Sequence, residues 1–138
     1  MNAAVRNTLA FLGGFVVLGV AKYAAIALGN AAIPPPAGVD LSTIEGLTAA
    51  VPLYEAQQWI PAFFEHAVGS MAGGAAAAFF AVSHRMKLAL GIGALHMAGG
   101  IAAALMVPFP AWVVTLDLVA MYLPMAWIGG TLVGGRRP

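Results

Sequence analysis

Cysteine is absent, which excludes disulfides, thiolate catalysis, Cys-ligated zinc and iron–sulfur clusters, and leaves no redox mark of compartment. Charge is nearly as scarce. Charged residues are 8% of the 138 and apolar residues 62%, far below the roughly 25% charge of soluble domains, so a water-soluble fold does not fit. The formal net charge is only +1 and Lys and Arg form no patch that could hold phosphates, so nucleic acid is not a partner. Internal repeats are also missing, and the chain is too short for the paired halves of most secondary transporters.

What the chain does have is long apolar runs. Four of them, at about residues 7–29, 60–82, 88–107 and 111–132, each approach the ~20 residues that cross a bilayer. They predict an all-α polytopic membrane protein, with four transmembrane helices in an up-down bundle forming a single transmembrane domain over residues 1–138. The 17 glycines and abundant alanines fall inside these runs, where small residues let helix backbones approach closely. The first run also has the outline of a secretory signal, with Arg6 ahead of an apolar core from Leu9 to Ala21 and small residues around Ala24 and Ala25. Its apolar character resumes after Lys22, from Tyr23 to Gly29, and exceeds the ~7–15 residues of a signal core, so a retained helix is the better reading.

The cations report orientation. Arg6, Arg85, Lys87, Arg136 and Arg137 flank the apolar runs on one side, and such residues stay cytoplasmic because moving them across the bilayer is unfavourable. Both termini and the turn Ser83-His84-Arg85-Met86-Lys87 then face the cytoplasm, with His84 a solvated loop residue, and Val107-Pro108-Phe109-Pro110 makes a tight outer turn. Tyr54, Trp59, Phe109 and Trp112 collect at the outer interface, and Trp127 marks the inner one.

An outer loop of about residues 30–59 carries Asp40, Glu45 and Glu55 on its water side. It opens with the stiff arm Ile33-Pro34-Pro35-Pro36. Ser42-Thr43-Ile44-Glu45 then reads as a capping box, with Ser42 as N-cap, before a short amphipathic helix that ends ahead of Pro52. Leu41, Ile44, Leu47, Thr48 and Val51 recur at near-helical spacing, which lays this helix on the membrane surface or over the mouth of the bundle.

Five acidic, basic or imidazole side chains lie within the spans, Lys22, Glu65, His66, His96 and Asp117. With ~1.5 Å rise per residue, Lys22 sits about 10 Å below the outer boundary, Glu65 and His66 about 6–9 Å, and Asp117 about 8–9 Å, while His96 is deeper at about 16 Å. An unpaired charge at such depth costs at least ~2.5–3.5 kcal/mol, so a Lys22 pair with Asp117 or Glu65 is the simplest solution. Small residues one turn away leave room for it, and Gly69-x-x-x-Gly73 fits the close-packing motif. The plainer readings are Lys22 snorkelling to the outer headgroups, Glu65 partly hydrated, and both histidines as hydrogen-bonded packing residues. Pro124 should kink the last span by freeing the carbonyl near Ala120.

No cofactor or metal is implied. Glu65 and His66 are adjacent and point about 100° apart, no i, i+4 ligand pair exists, and the ~8 Å depth offset between His66 and His96 argues against a shared haem iron. A Ser70, His66 and Asp117 triad is formally available, but Ser70 is expected to bond a backbone carbonyl.

The segments IPPPAGVD, FFEHAVGSMAGG, HRMKLALGIGALHMAGGIA and LDLVAMYLPMAWIGG, in that order, resemble an uncharacterised group of small bacterial multi-pass membrane proteins, over Ile33 to Gly130. The resemblance implies a bacterial inner-membrane four-helix protein and brings no activity, so it transfers no functional residue. Small multidrug exporters have a similar helix count but centre on a carboxylate in the first helix, where this chain has Lys22. The four-helix eicosanoid and glutathione membrane enzymes carry clustered Arg and Asn that this chain lacks. The expectation is a binding or transport protein, small-solute or proton-linked, with an outward-facing pocket lined by Lys22, Glu65, His66 and Asp117 and extended by His96. The alternatives are a structural or accessory subunit, whose Gly-rich faces dock a second copy or a partner, and an intramembrane enzyme using His66 and Glu65 as acid and base.

Overall fold

The computed structural model describes residues 1–134; Arg136 and Arg137, which the topology reading uses, lie outside them. All regular structure among the described residues is helical. The α-helices among them are α1 (Ala3–Ala32), α2 (Ile44–Ala50), α3 (Ile60–Phe80), α4 (Arg85–Met106), α5 (Ala111–Leu116) and α6 (Leu123–Gly134), with short 3-10 turns at Val51–Leu53 and Ala56–Trp59. Three stretches are long and apolar enough to cross a membrane: Ala3–Ala32, Arg85–Met106 and the joined Ala111–Gly134. The 21-residue α3 is not among them, and it is the helix that carries Glu65, His66 and Ser70. These spans make the chain compatible with a multi-pass membrane protein.

Local chemistry sets the helix ends. The Asn2 side chain accepts from the Val5 amide and starts α1, which stops at Ile33, ahead of a proline that disfavours helical backbone before it. Pro61 in the first turn of α3 has its φ already set for a helix and gives up no bonded amide. Val107 ends α4 in extended backbone before Pro108, and α5 starts directly after Pro110. His84 precedes α4 in left-handed backbone, at φ 52 and ψ 32, which turns the chain from α3 into α4.

The last span is not a uniform helix. Between α5 and α6, Asp117–Met121 forms a π-helical turn, followed by a break at Tyr122 with φ −109 and ψ −80. Pro124 lacks an amide proton and its ring collides with the carbonyl four residues back, so the helix loses its ordinary bonding around Ala120 and widens there. The expected kink takes this form.

α3 is the central element, packed against α1, α4 and α6. It lies antiparallel to α1 along a line of small residues. A Cβ on Gly73 would lie 2.7 Å from Leu18 Cβ, one on Gly14 would lie 2.7 Å from Ala77 Cβ, and one on Gly29 would lie 2.8 Å from Pro61 Cβ. The interface therefore depends on close backbone approach, the mode by which helices associate where no water is present to drive them together. α4 and α6 are likewise antiparallel, with Gly93 against Ala126 and Gly130 against Ala89.

Each end of the molecule is fastened. At one, the Asn7 side chain donates to Ser83 Oγ at 2.8 Å and accepts from the Val82 amide at 3.1 Å, holding the start of α1 on the α3–α4 turn. At the other, Gln58 Nε2 donates to the Pro34 carbonyl at 2.9 Å, and Trp59 is buried between Tyr54 and Phe109, at ring distances of 4.5 and 5.8 Å. The cap of α2 differs from the expected one. Thr43 is its N-cap and accepts from Gly46, while Ser42 donates by amide and hydroxyl to Asp40. These two donors hold the Asp40 carboxyl below its ordinary value, the Ser42 hydroxyl contributing most.

Candidate functional site

Four elements converge below the aromatic group. α1 supplies Lys22; α3 supplies Glu65, His66 and Ser70; α4 supplies His96; the π turn and the break after it supply Asp117 and Tyr122. Lys22 Nζ is 3.5 Å from Glu65 Oε1, which lies 3.2 Å from His66 Nε2. The other ring nitrogen, His66 Nδ1, is 2.8 Å from Asp117 Oδ1, and the Tyr122 hydroxyl donates to Asp117 Oδ2 at 2.5 Å. The result is an unbroken polar row across three helices, from the Lys22 ammonium to the Tyr122 phenol. Lys22 pairs with Glu65; Asp117 pairs with His66 instead.

Sequence reading did not single out Tyr122. It is wholly buried, and it reaches the row because a π turn places residues five apart on one face. Its oxygen also lies 3.0 Å from His66 Nδ1. The available signal was an aromatic residue with a hydroxyl five positions after Asp117 and two before Pro124.

Two expectations about the histidines need correction. The rings of His66 and His96 are 5.3 Å apart and edge to face, closer than the counted depth offset of about 8 Å, because a count along each axis ignores tilt and vertical offset between neighbours. Ser70 is fully buried and its oxygen lies 2.8 Å from His96 Nδ1, so its partner is an imidazole and not a backbone carbonyl. His96 Nε2 is the buried side-chain polar atom left without a partner among the described residues.

Glycines make the space for this row. A Cβ on Gly69 would lie 2.9 Å from Lys22 Cβ and 3.4 Å from His96 Cε1, and one on Gly100 would run into the Tyr122 hydroxyl. Either substitution displaces a member of the row. The side chains of Glu65, His66 and Asp117 are 15%, 20% and 14% exposed against 35% for Lys22, so the ammonium is the most accessible member.

Four members of the row, Lys22, Glu65, His66 and Asp117, form the floor of a cavity of about 560 Å³, with Tyr122 buried behind them. Its walls are apolar and include Ile26, Phe63, Val114 and Leu118; Leu41, Leu47 and the Tyr54, Trp59 and Phe109 rings also line it, on the side of the proline arm. Burial pushes the Tyr54 hydroxyl up from its ordinary value, in keeping with its place in this cover.

The hydrogen-bond pattern limits the chemistry. A carboxylate accepts only, and both His66 nitrogens face carboxylate oxygens, so either the ring carries both protons or one acid carries one. In the first state Lys22 and His66 balance Glu65 and Asp117. The carboxylates and imidazoles stand in a row instead of converging on a point, and among the described residues no group of three or more His, Asp or Glu is arranged to hold a metal ion.

No family model matches this chain, and no curated protein or solved structure is significantly similar to it.

Proposed function

We propose that the protein is a four-span, up-down bundle of the bacterial inner membrane, with both termini in the cytoplasm, that binds a small solute in an outward-facing polar pocket and links its passage to proton movement. α3 is the fourth span, its lower hydropathy offset by the pairing of its polar side chains within the bundle. The Asn7 clamp supports the orientation by setting Arg6 at the same end as Arg85 and Lys87, opposite the proline arm and the aromatic group. Retention of α1 belongs to this reading, since α1 supplies Lys22.

The observation that carries the proposal is the continuous row from Lys22 to Tyr122, whose members Lys22, Glu65, His66 and Asp117 line one cavity. Intramembrane ionisable residues are maintained against a large insertion cost and mark solute and proton routes. A ligand group that takes hydrogen bonds from Lys22 or gives them to Glu65 changes how the His66 protons are shared. Binding and protonation are thereby coupled.

Proteoliposomes with an entrapped pH dye test the reading. The wild-type protein should give proton flux that depends on outer pH, and Lys22→Met and Asp117→Asn should each abolish it while the protein still inserts. Unchanged flux in both variants refutes it.

A second reading, an accessory subunit that docks a second copy or a membrane partner, draws on Gly13 and Gly19 of α1, where an added Cβ would meet nothing within 4 Å. Here the Lys22 row only fixes helix register. Wild-type flux equal to that of empty liposomes, together with cross-linking through Gly13→Cys, supports this reading over the first.

A further inference from the structure

The cavity's walls and the standing of α5 indicate what kind of solute it takes, and the argument rests on the pocket reading above. α5 has no substantial backbone packing against α3 or α4; it meets α3 through the Phe63 and Trp112 rings at 6.2 Å. Between α4 and the last span the cavity is lined by Gly99, Ala103 and Ala104 on one side and by Val114 and Leu118 on the other, which marks a seam there. Gly99 is exposed, and an added Cβ there would meet nothing within 4 Å. The aqueous end is more closed. Trp59 is 5% exposed, held between Tyr54 and Phe109, with Gln58 bonded to the proline arm. An opening among acyl chains beside a covered outer end favours a solute that arrives within the membrane.

The floor limits its head. In either protonation state the four groups Lys22, Glu65, His66 and Asp117 sum to zero charge, so a net charge brought among them would stand uncompensated in a poorly hydrated site. Hydrogen-bonding capacity is nonetheless open. The Lys22 ammonium has three donors and one carboxylate partner, at 3.5 Å, and it is the most exposed member of the row. His96, which also lines the cavity, keeps a buried nitrogen without a partner among the described residues. A hydroxyl, which both donates and accepts, suits such a floor. The volume of about 560 Å³ matches a single compact ligand within the usual ~300–1,000 Å³ range.

We propose that the cavity binds a neutral, single-chain amphiphile with a hydroxylated head, admitted from the outer leaflet through the seam between α4 and the last span, its head on Lys22, Glu65, His66 and Asp117 and its chain along the apolar walls.

Trp59 lies in the wall, and the other two tryptophans, Trp112 and Trp127, are exposed. With Trp112→Phe and Trp127→Phe in phospholipid vesicles, Trp59 becomes the sole indole reporter. A monoacylglycerol brominated along its chain should quench Trp59 saturably, with half-saturation about tenfold weaker after Ala103→Phe narrows the seam. Brominated fatty-acid anion and brominated two-chain phospholipid should quench weakly and without saturation, and free glycerol should not compete. Lys22→Met should weaken the monoacylglycerol as Ala103→Phe does, while leaving the weak phospholipid quenching unchanged. Quenching by monoacylglycerol that tracks phospholipid, or competition by glycerol, overturns the proposal. Glycerol competition alongside Lys22-dependent proton flux leaves a water-borne solute in the same pocket; absent quenching together with unchanged flux in Lys22→Met and Asp117→Asn removes the pocket reading as well.

Discussion

His66 Nδ1 and Asp117 Oδ1, 51 residues apart in sequence, meet at 2.8 Å across the junction of α3 and the π turn, and the Tyr122 hydroxyl holds the other oxygen of the same carboxylate. Asp117 thus orients an imidazole and a phenol together. Asp117→Asn removes the charge and Tyr122→Phe only one donor. Loss of a charge-assisted hydrogen bond is worth ~1.5–3 kcal/mol, or at least about 10–100-fold, so Asp117→Asn should bring pH-dependent flux down to the level of empty liposomes. Tyr122→Phe should lower the thermal midpoint in detergent, because it leaves a poorly exposed carboxylate oxygen without its donor. An unchanged midpoint would show the phenol to be dispensable to the row.

Lys22→Met strips Glu65 of its ammonium partner while Glu65 stays largely covered, at 15% exposure, with His66 Nε2 still 3.2 Å away. The Lys22 side chain is itself about a third exposed, so the cost should fall near ~1–2 kcal/mol, below the ~3–5 kcal/mol of a fully buried pair. Adding Glu65→Gln should recover most of that stability. A double mutant as unstable as the sum of the single mutants would mean that the two residues act independently.

Gly73→Val tests the α1–α3 contact. The new side chain would meet Leu18 Cβ and the Gly14 carbonyl at under 3 Å, so α1 must move away. Overpacking of this kind costs ~1–3 kcal/mol and should expose Lys22 to aqueous amine reagents. Gly13→Val, where the added carbon meets nothing, should alter neither midpoint nor labelling.

Asp40 supplies a pH prediction outside the membrane-spanning part. Its folded value lies below the ordinary 3.8 because Ser42 donates to it twice. A depressed carboxylate contributes stability above its unfolded value, and that contribution is lost as pH falls through the folded one. Ser42→Ala should move the Asp40 titration up toward 3.8, followed by carboxyl NMR shifts. No upward movement would mean that the hydroxyl does not hold the carboxylate in solution.

Much of the site was legible from the chain because burying charge in apolar surroundings is costly. Lys22, Glu65, His66 and Asp117 stand at one counted depth on three spans, and the need for partners groups them. Proline punctuation at Pro34, Pro108 and Pro110 likewise marks helix ends close to those observed. Tyr122 stayed hidden because ordinary helical periodicity puts i and i+5 on different faces, and only the π turn brings it beside Asp117. The proximity of His96 to His66 depended on helix tilt, which residue counting does not contain. On α2, Ser42 and Thr43 are both competent caps, and the nearby Asp40 carboxylate decided between them by taking the Ser42 donors.

α1 meets the rest of the protein chiefly through α3, and its one covalent tie is the proline arm. A helix that docks by backbone proximity along a single neighbour can be supplied as a separate chain: cut within that arm, the two fragments retain complementary surfaces and can reassemble in lipid. The positive charge would then travel with the smaller fragment, making electroneutrality of the buried row a consequence of fragment association.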